Sequence, residues 1–184
     1  MSFRFKHRKA TQVILFVLHS LGKVAEPSRL FLLLYLADIK HLAKYGSLIT
    51  GDNYIAMKYG PAPLHVMGLC QQLKEEYEQG GLGYKSKGSF GVNDKHQLVA
   101  SDAYNAQYLS ESEVECLFEA THLYKNASFE LISYIATGSA WTKADINGEI
   151  KLTDMAIDGG ATPEMIAYIE LSYNDEQYSF SDLL

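Results

Sequence analysis

Cysteine, proline and tryptophan are all scarce here: two, four and one among 184 residues. Cys70 and Cys116 lie far apart in otherwise helical patterns, so they read as two buried thiols in a reducing cytosol, with no disulfide framework. The six histidines, His7, His19, His41, His65, His96 and His122, share no spacing with each other or with the cysteines that suits zinc, so no metal is expected. Long hydrophobic runs are also missing. The longest, Leu30 to Ala37, falls far short of the ~20 residues that cross a bilayer. The apolar stretch behind Arg4, Lys6, Arg8 and Lys9 is broken by His19-Ser20 and lacks the clean core and cleavage site of a secretory signal. These absences predict a soluble cytoplasmic protein without membrane contact. Positive charge is the minority sign, 16 Lys and Arg against 22 Asp and Glu, and a net charge of −6 argues against general affinity for a phosphate backbone. Two small basic clusters remain, Arg4 to Lys9 and Lys85, Lys87 and Lys95, either solvated or facing an acidic patch on a partner.

Catalytic motifs are equally hard to find. Gly80 to Ser86 reads Gly-Gly-Leu-Gly-Tyr-Lys-Ser, but Tyr84 stands between the last glycine and the lysine, and the following Gly88-Ser89-Phe90-Gly91 cannot start the helix that a phosphate cradle needs. Gly138-Ser139-Ala140 lacks the preceding strand and second glycine of a nucleophile elbow. The carboxylates Glu75 and Glu76, or Asp38 with Asp52, fit a solvated face and a cap more simply than an acid and base pair. The sequence therefore predicts no enzyme and no cofactor.

What is present is helical periodicity, and a chain of this length buries about 70% of its unfolded surface, enough for one core. From Lys9 to Lys23 the apolar residues Ala10, Val13, Ile14, Val17, Leu18 and Leu21 recur at three- and four-residue steps. A second helix opens at Pro27 and is apolar all round, which marks it as the central buried one. At its end Asp38 needs a backbone donor, His41 or a tyrosine hydroxyl to offset its burial. Tyr45-Gly46 closes it. A short half-buried segment, Tyr54 to Tyr59, precedes the breaks at Pro61 and Pro63, and a third helix is expected from Leu64 to Glu78. His65, at its start, could donate to Asp52 or to a partner. Residues 79–100 read as a glycine-rich β-hairpin or wing turning at Asn93-Asp94. Ser110-Glu111-Ser112-Glu113 is a capping box for a helix to about Lys125. Further helices follow from Ser128 to Ala136, near Trp141, and after Thr153 and Thr162-Pro163. Beyond Ser172 a frayed or extended tail is expected. The fold class is mainly α: a compact single-domain helical bundle with a small hairpin or wing after the third helix.

Thirteen tyrosines, many beside chain breaks, exceed what packing needs and suit a recognition surface. Leu33-Leu34-Tyr35, Ala37-Asp38, Tyr45-Gly46, Ile49-Thr50-Gly51 and Tyr59-Gly60-Pro61 form a series that resembles the Panacea domain, the SocA-like antitoxin family. The likeness is clearest from Leu30 to Leu73 and weaker from Glu113 to Ile169; Leu131 to Thr137 and Trp141 fit the second half, but Gly138 stands where relatives commonly carry histidine. The resemblance implies a domain over residues 1–172 and a tail over 173–184. It implies a module that neutralises a cognate toxin by direct binding, with Tyr35, Asp38, Tyr45, Tyr59 and Trp141 as partner-binding residues and Gly46, Thr50, Gly51, Gly60 and Pro61 as its structural motif. Two alternatives accompany it: an adaptor delivering a toxin to an ATP-dependent protease, and a winged-helix DNA-binding regulator. The resemblance also implies a gene of the kind found in phages and mobile elements. Glu75, Glu76 and Glu78 on the third helix carry the wrong charge for a nucleic-acid groove.

Overall fold

A computed structural model describes residues 4–80 and 89–181, with side chains described as far as Tyr173. Its element order is α1 (His7–Ser20), β1 (Val24–Ala25), α2 (Pro27–Tyr45), β2 (Tyr54–Met57), β3 (Gly60–Pro63), α3 (Leu64–Glu78), β4 (Phe90–Val92), β5 (Leu98–Ala100), α4 (Glu111–Tyr124), α5 (Phe129–Ala136), α6 (Ser139–Lys143), α7 (Leu152–Asp158) and α8 (Pro163–Ser181). The protein is mainly α with small antiparallel sheets.

α2 is the axis, as its continuous apolar surface requires. Leu30, Leu33, Leu34, Tyr35, Ala37 and Leu42 are buried, and α4, α5, α7 and β3 pack around it. Gly46 ends it in the left-handed conformation at φ 70°, its N–H donating to Leu42 O at 2.9 Å. A Cβ there would lie 2.6 Å from the Tyr168 ring, so this glycine also lets α8 approach. On the solvent side Lys40 pairs with Glu119, and Lys44 with Glu115 at 3.0 Å, joining α2 to α4.

α3 occupies the predicted residues, and the capping box of α4 forms as its spacing demands: Glu113 N–H donates to Ser110 Oγ at 3.3 Å, and Ser110 N–H to Glu113 Oε2 at 2.8 Å. The hairpin after α3 is β4 and β5, its turn organised by Asn93 Oδ1, which accepts from the amides of Lys95 and Gln97, each at 3.0 Å. β1 adds to its edge in the order β1-β5-β4. Lys85 and Lys87 lie outside the described residues.

Two features depart from expectation. Residues 54–63 form a second hairpin, β2 with β3, pairing Tyr54 with Pro63 and Met57 with Gly60. Prolines ordinarily demote a strand. Here Leu64 N–H donates inward to Asn53 O, so the even positions of β3 face β2 and Pro61 and Pro63 place their missing donors on the outer edge. α8 is the other departure: its helix continues to Ser181, through the stretch where a frayed or extended tail is expected after Ser172. Tyr173 packs against the core, which gives the last turns an anchor.

Candidate protein-binding face

The first half of the motif is internal. Asp38 is buried; its Oδ1 accepts from Ile49 N–H at 2.6 Å and its Oδ2 from the Tyr54 hydroxyl at 2.7 Å. Burial pushes its carboxyl up to about 7, against the pull of those two donors, with Asp52 and Glu113 adding to the rise. The Tyr35 ring meets Tyr54 edge-on at 5.2 Å, and its hydroxyl is buried without a hydrogen-bond partner among the described residues. Burial, then Asp158 and Asp154, raise its ionisation well above the ordinary value. Thr50 Oγ1 accepts from Asp52 N–H at 3.3 Å, and a side chain at Gly51 would run into the Arg4 backbone.

Asp52 is a cap acting across a loop. One carboxylate oxygen accepts from the His65 amide at 2.9 Å and lies 2.8 Å from its Nδ1; the other accepts from the Val66 amide at 2.9 Å. Those amides are orphans of the first turn of α3, so Asp52 and His65 are accounted for as helix-start chemistry.

The second half of the motif reaches the surface. The β2–β3 hairpin turns at Lys58-Tyr59, and Tyr59 is 61% exposed. Three contacts pin the turn: Trp141 Nε1 donates to Met57 O at 3.0 Å, Ser133 Oγ donates to Tyr59 O at 2.6 Å, and the Tyr59 ring meets Phe129 at 6.5 Å. Gly60 has φ 128°, a conformation open essentially to glycine, and a Cβ there would stand 2.7 Å from Leu32 Cδ2. Close approach of the hairpin to α2 therefore depends on it. Beneath the tip lies an apolar pocket of about 280 Å³ between Phe31, Leu32, Met57, Tyr59, Met67 and Phe129.

α5 forms the adjoining ridge. Its sequence is apolar except for Glu130 and Ser133, yet only Ile132 and Ala136 are buried. Leu131, Tyr134 and Ile135 point outward, Tyr134 at 80% exposure. On its far flank a groove of about 220 Å³ runs past Leu36, Ile39, Ala120, Leu123 and Ile135, and Leu123 is itself 64% exposed. A short helix whose apolar residues outnumber its buried ones presents a surface that suits a partner better than water.

Of the sequence-predicted partner residues, Tyr59 and Trp141 come together at the hairpin. Tyr45 lies at the other end of α2, about 20 Å along the axis from Phe31, its hydroxyl donating to Glu115 at 3.2 Å. Tyr35 and Asp38 are enclosed and organise the turn behind the hairpin. The α5 ridge was not foreseen. Its signal is the surplus of apolar positions, since an eight-residue helix needs only one apolar stripe to dock.

Chemistry is sparse among the described residues. No group of three His, Cys, Asp or Glu is placed to hold a metal, and Cys70 and Cys116 are free thiols. Burial pushes the Cys70 thiol up to about 12, which leaves it without reactive thiolate at neutral pH. No described helix is long and apolar enough to cross a membrane. No curated protein and no solved structure matches this chain. The family model described as "Antitoxin SocA-like, Panacea domain" matches residues 30–142, a span that runs from the start of α2 through the hairpin, the α5 ridge and Trp141. By that match, over more than half its length, the chain belongs to the SocA-like antitoxin family of Panacea domains.

Proposed function

We propose that this protein neutralises a cognate protein toxin by direct binding, and that the α5 ridge with the β2–β3 tip is the docking face. The observation that carries the reading is the outward apolar side of α5, Leu131, Tyr134 and Ile135, set beside exposed Tyr59. Interfaces draw most of their energy from a few aromatic anchors, and Tyr134 and Tyr59 are the two most exposed aromatic side chains among the described residues. Tyr59 and Trp141 act here as contacts, Tyr35 and Asp38 as positioning residues, and Tyr45 stands apart from the face. The working domain is residues 1–172, with α1 and α7 packed onto the family-matched core.

The test is co-expression with the product of the neighbouring gene. Growth should be restored and the two proteins should co-purify. Tyr134→Ala and Tyr59→Ala should each abolish rescue at a cost of ~2 kcal/mol or more in binding, with circular dichroism unchanged, whereas Tyr45→Ala should leave rescue intact. Rescue that disappears in a host lacking its ATP-dependent proteases would transfer the role to adaptor. A DNA-binding role receives less support. α3 exposes Glu75, Glu76 and Glu78, and salt-sensitive DNA binding with no growth effect from any neighbouring gene would overturn the antitoxin reading.

A further inference from the structure

We infer that the pocket beneath the hairpin tip receives one aromatic side chain of the partner, presented between carboxylates on a segment that does not add as a strand. The inference rests on the reading of this face as the docking surface and names the chemistry it selects.

Size comes first. At about 280 Å³ the space falls just under the ~300–1,000 Å³ usual for small-molecule sites, so it suits a single inserted side chain better than a cofactor. Its lining is apolar, and two of its walls are Met57 and Met67, whose flexible thioethers adapt to an entering ring and favour contact with it.

Charge comes second. Among the described residues Lys58 is the one charged member of that lining, exposed at the tip with Nζ 5.0 Å from the Tyr59 ring centroid. Arg29 follows Ser28 of the same lining, and its guanidinium donates to the carbonyls of Tyr124 and Lys125 at 2.9 and 2.8 Å, at the C-terminal end of α4 just before the chain turns toward Phe129. Against these cations stands one carboxylate at the start of α5, Glu130, which its own amide and the Ser128 hydroxyl keep ionised, with a pKa below the usual range. In a chain of net charge −6 this rim is locally basic, and it matches an acidic segment.

Backbone comes third. The outer edge of β3 has Pro61 and Pro63 where a further strand would seek donors, and the outer edge of β2 is already joined to residues 147–150 through Ala56 N–H to Gly148 O and Ile150 N–H to Tyr54 O. Strand addition is blocked on both sides. Recognition falls to side chains entering the pocket.

The probes are three short peptides titrated into the full-length protein carrying ¹³C-methyl methionine: acetyl-Glu-Phe-Glu-amide, acetyl-Lys-Phe-Lys-amide and acetyl-Glu-Ala-Glu-amide. The first should move the Met57 and Met67 methyl resonances with saturation, at least tenfold tighter than the second, and the third should leave them in place. Lys58→Glu should remove the preference for the acidic peptide. Equal affinities for the two phenylalanine peptides, or no movement at Met57 and Met67, would overturn the inference. Toxin capture separates it from the broader reading. If Lys58→Glu still neutralises the toxin and the peptides do not bind, the pocket assignment falls and the antitoxin role stands; if the peptides behave as expected and no neighbouring gene product is neutralised, the reverse holds.

Discussion

The stability difference between wild type and Asp38→Asn should depend on pH, falling between mild acid and mild base. The carboxyl sits at about 7 in the folded protein, against 3.8 for the free side chain, because burial disfavours its charge more than Ile49 N–H and the Tyr54 hydroxyl favour it. A raised carboxyl pKa means that the native state holds the proton more tightly than the unfolded chain. Its stabilising contribution is then complete below about pH 4 and lost as pH rises through about 7. The full span is on the order of 4 kcal/mol at 1.36 kcal/mol per pH unit, of which roughly 2.5 kcal/mol falls between pH 5 and pH 8. Asparagine keeps the geometry: its oxygen can accept from Ile49 N–H, and its amide can donate to the Tyr54 oxygen, but it does not titrate in this range. His41, whose pKa burial lowers, has the opposite slope; it is present in both proteins and cancels in the difference. Urea unfolding of both proteins at pH 5 and pH 8 is the assay. The advantage of wild type over Asp38→Asn should shrink by roughly 2.5 kcal/mol on going to pH 8. A difference that is flat with pH, or that grows toward pH 8, would show that the two donors outweigh burial and that the carboxylate is the native form throughout.

Gly60→Val should lower the urea midpoint by an amount equal to ~1–3 kcal/mol for the φ 128° strain alone, with the contact against Leu32 adding to it; an unchanged midpoint would mean that the junction relaxes freely. Gly138→His, toward the residue that the family resemblance leads one to expect there, should destabilise this chain by ~1 kcal/mol or more, since its Cβ would lie 2.5 Å from Asp158 Oδ2, the oxygen that accepts from Ala140 N–H at 2.9 Å at the start of α6. Thermal denaturation reads that change, and a rise in Tm would refute the clash. Melts in EDTA, zinc, magnesium or ATP should superimpose, because a ligand at 100 times its dissociation constant would add ~2.7 kcal/mol to the native state; an upward shift with any of them would reveal a site.

The helices were legible where local rules decide them. α3 begins behind two prolines, α4 begins at a capping box, and α2 ends at a glycine that can take φ 70°. Asp38 could be assigned a buried hydroxyl or amide partner from cost alone, though not which. The β2–β3 hairpin was hidden because Pro61 and Pro63 argue against a strand until their register is known. The same limit governed the site. Tyrosine count predicts recognition but not direction, and direction separates Tyr35, enclosed against Tyr54, from Tyr59 at the tip. The sequence marks a helix from Ser128 to Ala136 but not which side faces out, and its packing leaves Leu131, Tyr134 and Ile135 outside.

The enclosed motif and the exposed face are joined by one chain of hydrogen bonds. Asp38 holds the Tyr54 hydroxyl at the head of β2, β2 carries Met57, whose carbonyl holds Trp141, and the tip presents the Tyr59 carbonyl to Ser133 on α5. Each link fixes backbone, so the tip and the ridge meet a partner already ordered and lose little freedom on binding. If the ridge and tip are the docking face proposed above, the motif residues contribute to affinity without touching the partner. On that reading, a change at Tyr134, 80% exposed, should alter which partner is chosen while this frame stays the same. Specificity and scaffold are thereby separable, with the ridge free to vary over a fixed hairpin.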